Sequence, residues 1–203
     1  GILTIPERLV DSLADFPQIE YVEKPKRLFF AAEQGRSASC MSGVQSEFSP
    51  LGPGLTGRGV LVACVDSGID YSHPDFRDEE GNTRIAWLWD QTLTARREEG
   101  ERPPEGFVYG VEFDGETINR ALAAPTLQER NAICPSRDTS GHGTHVAGIA
   151  AGSGRASEGR YRGVDYGSRL LVVKLGNVRD QGFPRTTQLM TAVTYCLRKA
   201  GQM

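Results

Sequence analysis

The amino-acid sequence predicts an α/β fold built on a parallel sheet, and three observations predict it. Residues 59–65 and Leu170-Leu171-Val172-Val173 are unbroken β-favouring runs, the pattern of strands buried on both faces. Each is followed later in the chain by a helical pattern, one beginning near His142 and one over residues 187–199. The order strand, helix, strand, helix is that of a parallel sheet with crossover helices. At 203 residues the chain has room for one domain of ordinary size and an appendage. No internal repeat is present.

Taken in order, Leu3 and Ile5 suggest a short strand, and Pro6 suits the first turn of a helix. Leu9, Val10, Leu13 and Phe16 share one helical face, with Pro17 at the exit. Ile19 and Tyr21 alternate with polar neighbours as a second strand, ahead of a basic, aromatic stretch from Lys24 to Phe30. A β-α-β piece this small is not stable alone. Residues 33–58 are rich in Gly, Ser and Pro and read as a surface connector.

The first long strand stops abruptly at Asp66-Ser67-Gly68. In α/β sheets the carboxyl ends of strands are where ligands and reacting groups gather. Residues 77–137 form a long polar intervention with candidate strands at 85–89 and 107–109, and a short helix that Asp114 caps. The charges of Arg96-Arg97-Glu98-Glu99 cancel, which reads as a solvated loop. The small residues Ala147, Gly148, Ala150 and Ala151 suit a helix packed tightly on the sheet. The last helix places Met190, Val193 and Leu197 on one apolar face.

Composition narrows the partners. The 23 basic and 26 acidic residues give a net charge of -3, which offers no electrostatic footprint for nucleic acid or anionic lipid. The longest apolar run, from Val60 to Val65, is far too short to span a bilayer. Gly1-Ile2-Leu3-Thr4-Ile5 has neither the basic start nor the apolar core of a signal peptide, but a chain that begins with Gly leaves secretion open. Cys40, Cys64, Cys134 and Cys196 form no Cys-x-x-Cys pair, which argues against a disulfide scaffold or a zinc ribbon. They are expected as reduced, structural thiols, a weak pointer to a reducing compartment.

All three histidines lie in two short segments: Asp66-Ser67-Gly68-Ile69-Asp70-Tyr71-Ser72-His73-Pro74-Asp75-Phe76, and Ser140-Gly141-His142-Gly143-Thr144-His145-Val146-Ala147-Gly148. A serine hydroxyl is a weak nucleophile until an imidazole accepts its proton, and the imidazole needs a carboxylate to fix its tautomer. Asp66 at a strand end is a rigid carboxylate; His142 stands where a helix begins, a position that suits a neutral base. Each residue also has a plainer reading. Asp66 can cap a turn through Ser67 and Gly68, and His142 can cap its helix. His145 reads as a packed core histidine, and Asp70 and His73 as supports of the loop after the strand. Gly141 and Gly143 are expected to leave space for a substrate chain beside the ring. A third reading, a metal-dependent hydrolase using Asp70, His73, Asp75, His142 and His145, draws on ligands that first-row metals favour, but no His-Glu-x-x-His accompanies it.

The two segments resemble the Asp and His blocks of the subtilisin-like serine proteases, the subtilases, in that family's chain order. The resemblance implies a partial subtilisin-like fold, with Asp66 as the triad carboxylate and His142 as the general base of peptide-bond hydrolysis through an acyl-enzyme. It implies no required cofactor. Asp75 matches a family position that often ligates structural calcium, although residues 152–160, where the family usually inserts its calcium loop, are short and cationic here. Gly163-Val164-Asp165-Tyr166 stands for the usual Gly-Val-Ala-Pro, and Leu175-Gly176-Asn177 is expected at the near rim of the peptide cleft. The family's Gly-Thr-Ser-Met-Ala block is not among these residues, and Asn177 lies in the wrong context for the oxyanion donor. The expectation is therefore the amino-terminal portion of a longer protease, inactive alone and exposing an apolar sheet edge. A non-catalytic, peptide-binding pseudoprotease is the alternative.

Residues 1–32 resemble the end of an α+β subtilase propeptide, with a tail from Lys24 to Phe30 and self-cleavage between Phe30 and Gly35. Residues 33–203 are then the front of the catalytic domain, with 77–137 inserted. The partners implied are a polypeptide substrate, the chain's own propeptide and the missing carboxyl-terminal half of the domain. The insertion and the cysteines are most similar to the clostridial germination-type (Csp-like) subtilases. The compartment stays open: intracellular, spore-associated or secreted.

Overall fold

The structure, a computed structural model, describes residues 3–23, 55–176 and 184–202. Among the described residues four strands form one sheet: β1 (Leu61–Asp66), β2 (Ile85–Asp90), β3 (Val111–Asp114) and β4 (Arg169–Lys174). Their spatial order is β1-β4-β2-β3. β4 runs parallel to both neighbours, with Val172 opposite Cys64 on one side and Leu88 on the other. β3 closes the far edge antiparallel to β2. The parallel-dominated α/β fold read from the sequence is the fold observed.

The unbroken run Leu170-Leu171-Val172-Val173 is explained by what lies above and below it. Successive side chains of a strand point to opposite faces. Leu170 and Val172 enter a core with Cys64, Leu88, Phe76, Ile118, Ala147 and Ala151. Leu171 and Val173 enter a second core with Trp89, Leu175, Ala192 and Tyr195. Both faces are covered, so no position in the run tolerates a polar residue.

Five helices complete the described chain: α1 (Val10–Ala14), α2 (Gly115–Ala123), α3 (Leu127–Ile133), α4 (His142–Ala151) and α5 (Thr186–Ala200). α2 and α4 supply residues to the first core, and α5 to the second. The side chain of Asp114 accepts from the Thr117 amide, as its capping position predicts. α3 is absent from the sequence reading, yet its signal is present: Thr126 and Glu129 form a reciprocal capping box, the Thr-x-x-Glu pattern that satisfies two orphan amides. Among the described residues no helix is long and apolar enough to cross a membrane.

Several expectations are corrected. The segments around Leu3 and Ile19 join no ladder among the described residues; only a 3₁₀ turn, Glu7–Leu9, and α1 form between them. A strand is stable only where a partner satisfies its backbone, and α1 spans five residues, too little surface to hold two strands. Residues 107–109 are not a strand either. Phe107 and Tyr109 lay their rings on Trp89, at centroid distances of 4.8 and 5.3 Å, and the chain joins the sheet only after Gly110 turns it with a φ of 76°. The candidate strand at 85–89 is β2, and residues 77–137 supply β3 to the sheet as well. On α5 the apolar face read from the sequence is the outer one: Met190, Val193 and Leu197 are exposed, while Gln188, Ala192 and Tyr195 are buried. Both stripes satisfy helical spacing, about 200° apart on the wheel. The one carrying Tyr195 wins because its ring meets Trp89 at 5.1 Å and Phe107 at 6.0 Å.

Candidate active site

The site grows from the carboxyl ends of the three parallel strands. Register sets Asp66, Lys174 and Asp90 side by side across β1, β4 and β2. Asp90 is completely buried and its Oδ2 accepts the Ser136 hydroxyl at 2.6 Å. The Lys174 ammonium lies 3.5 Å from the same oxygen and donates to the Arg137 carbonyl at 2.7 Å. The Tyr71 hydroxyl donates to the Cys134 carbonyl at 2.8 Å. Together these bonds fasten the loop before α4 to the sheet edge.

That loop delivers His142, the first residue of α4, to Asp66, the last residue of β1. His142 Nδ1 stands 2.7 Å from Asp66 Oδ1, with side-chain exposures of 20% and 13%. A carboxylate accepts, so Nδ1 is the donor of this bond, and in the neutral imidazole the lone pair is then on Nε2. The turn-capping reading of Asp66 holds as well, since Oδ1 also accepts the Ser67 amide at 2.7 Å.

The junction depends on residues the sequence reading passed over. The Ser67 hydroxyl accepts the Gly143 amide at 2.9 Å and donates to Asp138 Oδ1 at 2.8 Å. Asp138 Oδ2 accepts both the amide and the hydroxyl of Thr144, at 2.9 and 2.7 Å. Burial pushes the Asp138 carboxyl up, but the bonds from Thr144, Ser67 and Gly141 outweigh it and hold the group below the usual carboxylate range. The signal that could have found it is its spacing, four residues before His142, ahead of a glycine that has no side chain to cap the helix. Gly143 serves another purpose than the substrate access expected of it. A Cβ there would lie 2.2 Å from the Gly68 carbonyl oxygen and 3.2 Å from the Asp66 Cβ, so the missing side chain lets α4 and the end of β1 touch.

The remaining candidates divide. His145 is exposed, against its expected place in the core. Gly143, Ala147 and Ala151 face inward, and a residue two beyond Gly143 points about 200° away from that stripe. Asp70 accepts the amide and hydroxyl of Ser72, and His73 Nδ1 accepts the Asp75 amide at 3.2 Å, the loop-holding work the sequence suggested. Among the described residues no three His, Cys, Asp or Glu side chains converge as a metal site would require. Asp75 does not fit a calcium cage, which wants six or more oxygens. Its Oδ1 accepts the Ala156 amide at 2.7 Å, its carbonyl accepts the Arg84 guanidinium at 2.6 Å, and Arg155 donates to the nearby Glu79 carbonyl at 3.1 Å. Cations occupy the surroundings where calcium ligands belong. Asn177 lies outside the described residues. Cys64, Cys134 and Cys196 are free thiols. Burial, and secondarily the Asp66 charge, pushes the Cys64 thiol up to about 12, so this thiol, two residues before Asp66, is no nucleophile at neutral pH.

A carboxylate from a strand end bonded to an imidazole from a helix start, on the carboxyl edge of a mostly parallel sheet, defines an α/β protein with an acid–base couple. The chain belongs to the subtilase family, whose sequence model matches residues 57–198. It is 30% identical over 147 residues to the serine protease AprX of Bacillus subtilis, an alignment covering 72% of this chain and 23% of that one. It is 27% identical over 145 residues to subtilisin-like protease 1 of Plasmodium falciparum, covering 70% of this chain and 17% of the relative. Among solved structures it is similar to the CspB protease of Clostridium perfringens, with a TM-score of 0.64 and 35% identity over 82% of this chain and 30% of the other. The Csp-like character read from the sequence accords with that match. The chain thus spans less than a third of the length of these relatives.

Proposed function

We infer that the chain carries the carboxylate and the general base of a serine endopeptidase. His142 Nε2 takes the proton of a serine hydroxyl as it attacks a peptide carbonyl, and later returns it to the leaving amine. Asp66 holds the Nδ1–H tautomer and stabilises the imidazolium formed in between. The substrate is a polypeptide. The nucleophilic serine comes from polypeptide outside these 203 residues, so the chain by itself does not hydrolyse peptides. The observation that carries this reading is the 2.7 Å contact between His142 Nδ1 and Asp66 Oδ1, made inside the span that the family model matches.

The same reading assigns residues 1–32 to the end of a propeptide and 33–203 to the front of the catalytic domain. The start of the family match at residue 57 supports it, as do Leu3, Leu9, Phe16 and Tyr21, which are left exposed as a docking segment would leave them. The tail and its cleavage point lie outside the described residues.

The test is labelling of the complete gene product with a fluorophosphonate probe, alongside peptide hydrolysis. Labelling and turnover are expected, with His142→Ala abolishing both and Asp66→Asn lowering kcat by roughly 10⁴-fold. A complete protein that labels on no serine is a peptide-binding scaffold instead, and the endopeptidase reading fails.

A further inference from the structure

We propose that Asp138 is a positioning residue for this chemistry: its carboxylate orients the Ser67 hydroxyl and ties the start of α4 to the end of β1, and so sets the contact between Asp66 and His142. The inference rests on the roles assigned above to those two residues.

A helix begins with amides that have no partner within it. α4 begins after Gly141, which has a left-handed φ of 76° and no side chain to cap with. The first bond within the helix is the His145 amide to the Gly141 carbonyl, at 3.1 Å. The two amides before it are satisfied from outside the helix, Gly143 by Ser67 and Thr144 by Asp138. Those two side chains are bonded to each other. The cap of α4 is therefore a bridge to β1.

The bridge constrains the imidazole through a closed circuit. Ser67 follows Asp66, and its amide binds the same Oδ1 that receives His142 Nδ1. Gly143 follows His142, and its amide binds the Ser67 hydroxyl. That hydroxyl has one proton, and Asp138 takes it. With the proton committed, a lone pair of Oγ is left facing the Gly143 amide. Asp138 Oδ1 also accepts the Gly141 amide at 2.9 Å and the Ser140 amide at 3.2 Å, which fixes the turn that leads into His142. Bonds to an ionised carboxylate are roughly twice as strong as neutral ones, and the depressed Asp138 carboxyl fits a group held ionised by its donors. Without Asp138 the hydroxyl turns freely, the circuit opens and the imidazole loses its fixed distance from Asp66.

The experiment follows the downfield Nδ1–H proton of His142 and its ¹⁵N tautomer signature in the complete gene product labelled with ¹⁵N-histidine. Asp66→Asn is expected to abolish the Nδ1–H signal. Asp138→Ala is expected to lower the bonded population roughly tenfold, the equivalent of one charge-assisted hydrogen bond, and Asp138→Asn to restore part of it through the retained carbonyl oxygen. Asp114→Ala, which removes a cap from α2, lowers stability without touching the signal. Should Asp138→Ala fail to fold, Thr144→Val reads the same link with a smaller loss. A wild-type chain without the resonance overturns the catalytic pairing itself. A wild-type signal that survives both Asp138→Ala and Thr144→Val unchanged overturns the positioning role alone.

Discussion

The two helices packed on opposite faces of the sheet are held by different means. α4 meets the sheet through Gly143, Ala147 and Ala151, side chains too small to interlock, and is fixed at its first turn by hydrogen bonds to Ser67 and Asp138. α5 has aromatic packing instead: Tyr195 sits among Trp89 and Phe107, and the guanidinium of Arg198 lies 5.2 Å over the Phe107 ring. Packing places a helix on a surface, whereas bonds at a terminus place one residue. Both helices have bonds at the first turn, in α5 from the Gln91 side chain to the Gln188 carbonyl at 3.2 Å, but only in α4 do they run to the strand end that carries Asp66.

Substitutions that break one mode and spare the other sharpen this contrast. The largest effect is expected from Trp89→Ala, which empties the centre of the α5 face and costs about 3–5 kcal/mol, read by chemical denaturation. The His142 Nδ1–H signal should persist in whatever fraction stays folded. Gly143→Ala acts on the other side. It drives a methyl group into the Gly68 carbonyl and costs about 1–3 kcal/mol as overpacking, but its sharper readout is the loss of the His142 signal. If that signal survives, the close approach of α4 to β1 is not what holds the pair. Asp114→Ala or Thr126→Ala removes an ordinary local cap and should cost about 1 kcal/mol each, measured by thermal melting, with no change at the site.

Acid separates the two helices more finely. The Asp138 carboxyl is depressed in the folded state, so its contribution is full above the ordinary value of about 3.9. It is lost as pH falls through the lower folded value. Amide exchange in the first turn of α4 is expected to accelerate relative to α5 below about pH 4, and Asp138→Asn should remove that pH dependence. Equal acceleration in both helices would mean global acid unfolding instead. The smallest effect is expected from Leu197→Gln on the outer face of α5, within about 0.5 kcal/mol in this chain. A larger loss would show that this face is covered.

Legibility in the sequence followed the kind of signal. β4 was readable because a strand buried on both sides has no polar alternation to confuse; β1, read from the same kind of run, is instead an edge strand of the described sheet with Ala63 exposed. The Asp66 and His142 segments were readable because a motif fixes residue types at set spacings. His145 was misplaced because the motif says nothing of which side of the helix meets the sheet. The two stripes of α5 were indistinguishable until Trp89 and Phe107 supplied a surface for Tyr195. Asp138 was overlooked because its partners, Ser67 and Thr144, lie 71 and 6 residues away, and only the first of those distances is bridged by the fold.

By itself the sequence determined β1, β2 and β4 as strands and which two side chains could form an acid–base couple, since those depend on local pattern and residue chemistry. Tertiary structure alone decided that Val111–Asp114 rather than residues 107–109 pairs with β2, which stripe of α5 is buried, and that Gly143 makes room for backbone. It also decided that a carboxylate in a polar loop caps the helix of His142. Each of these turns on what lies across from a residue in space, and no spacing along the chain encodes that neighbour.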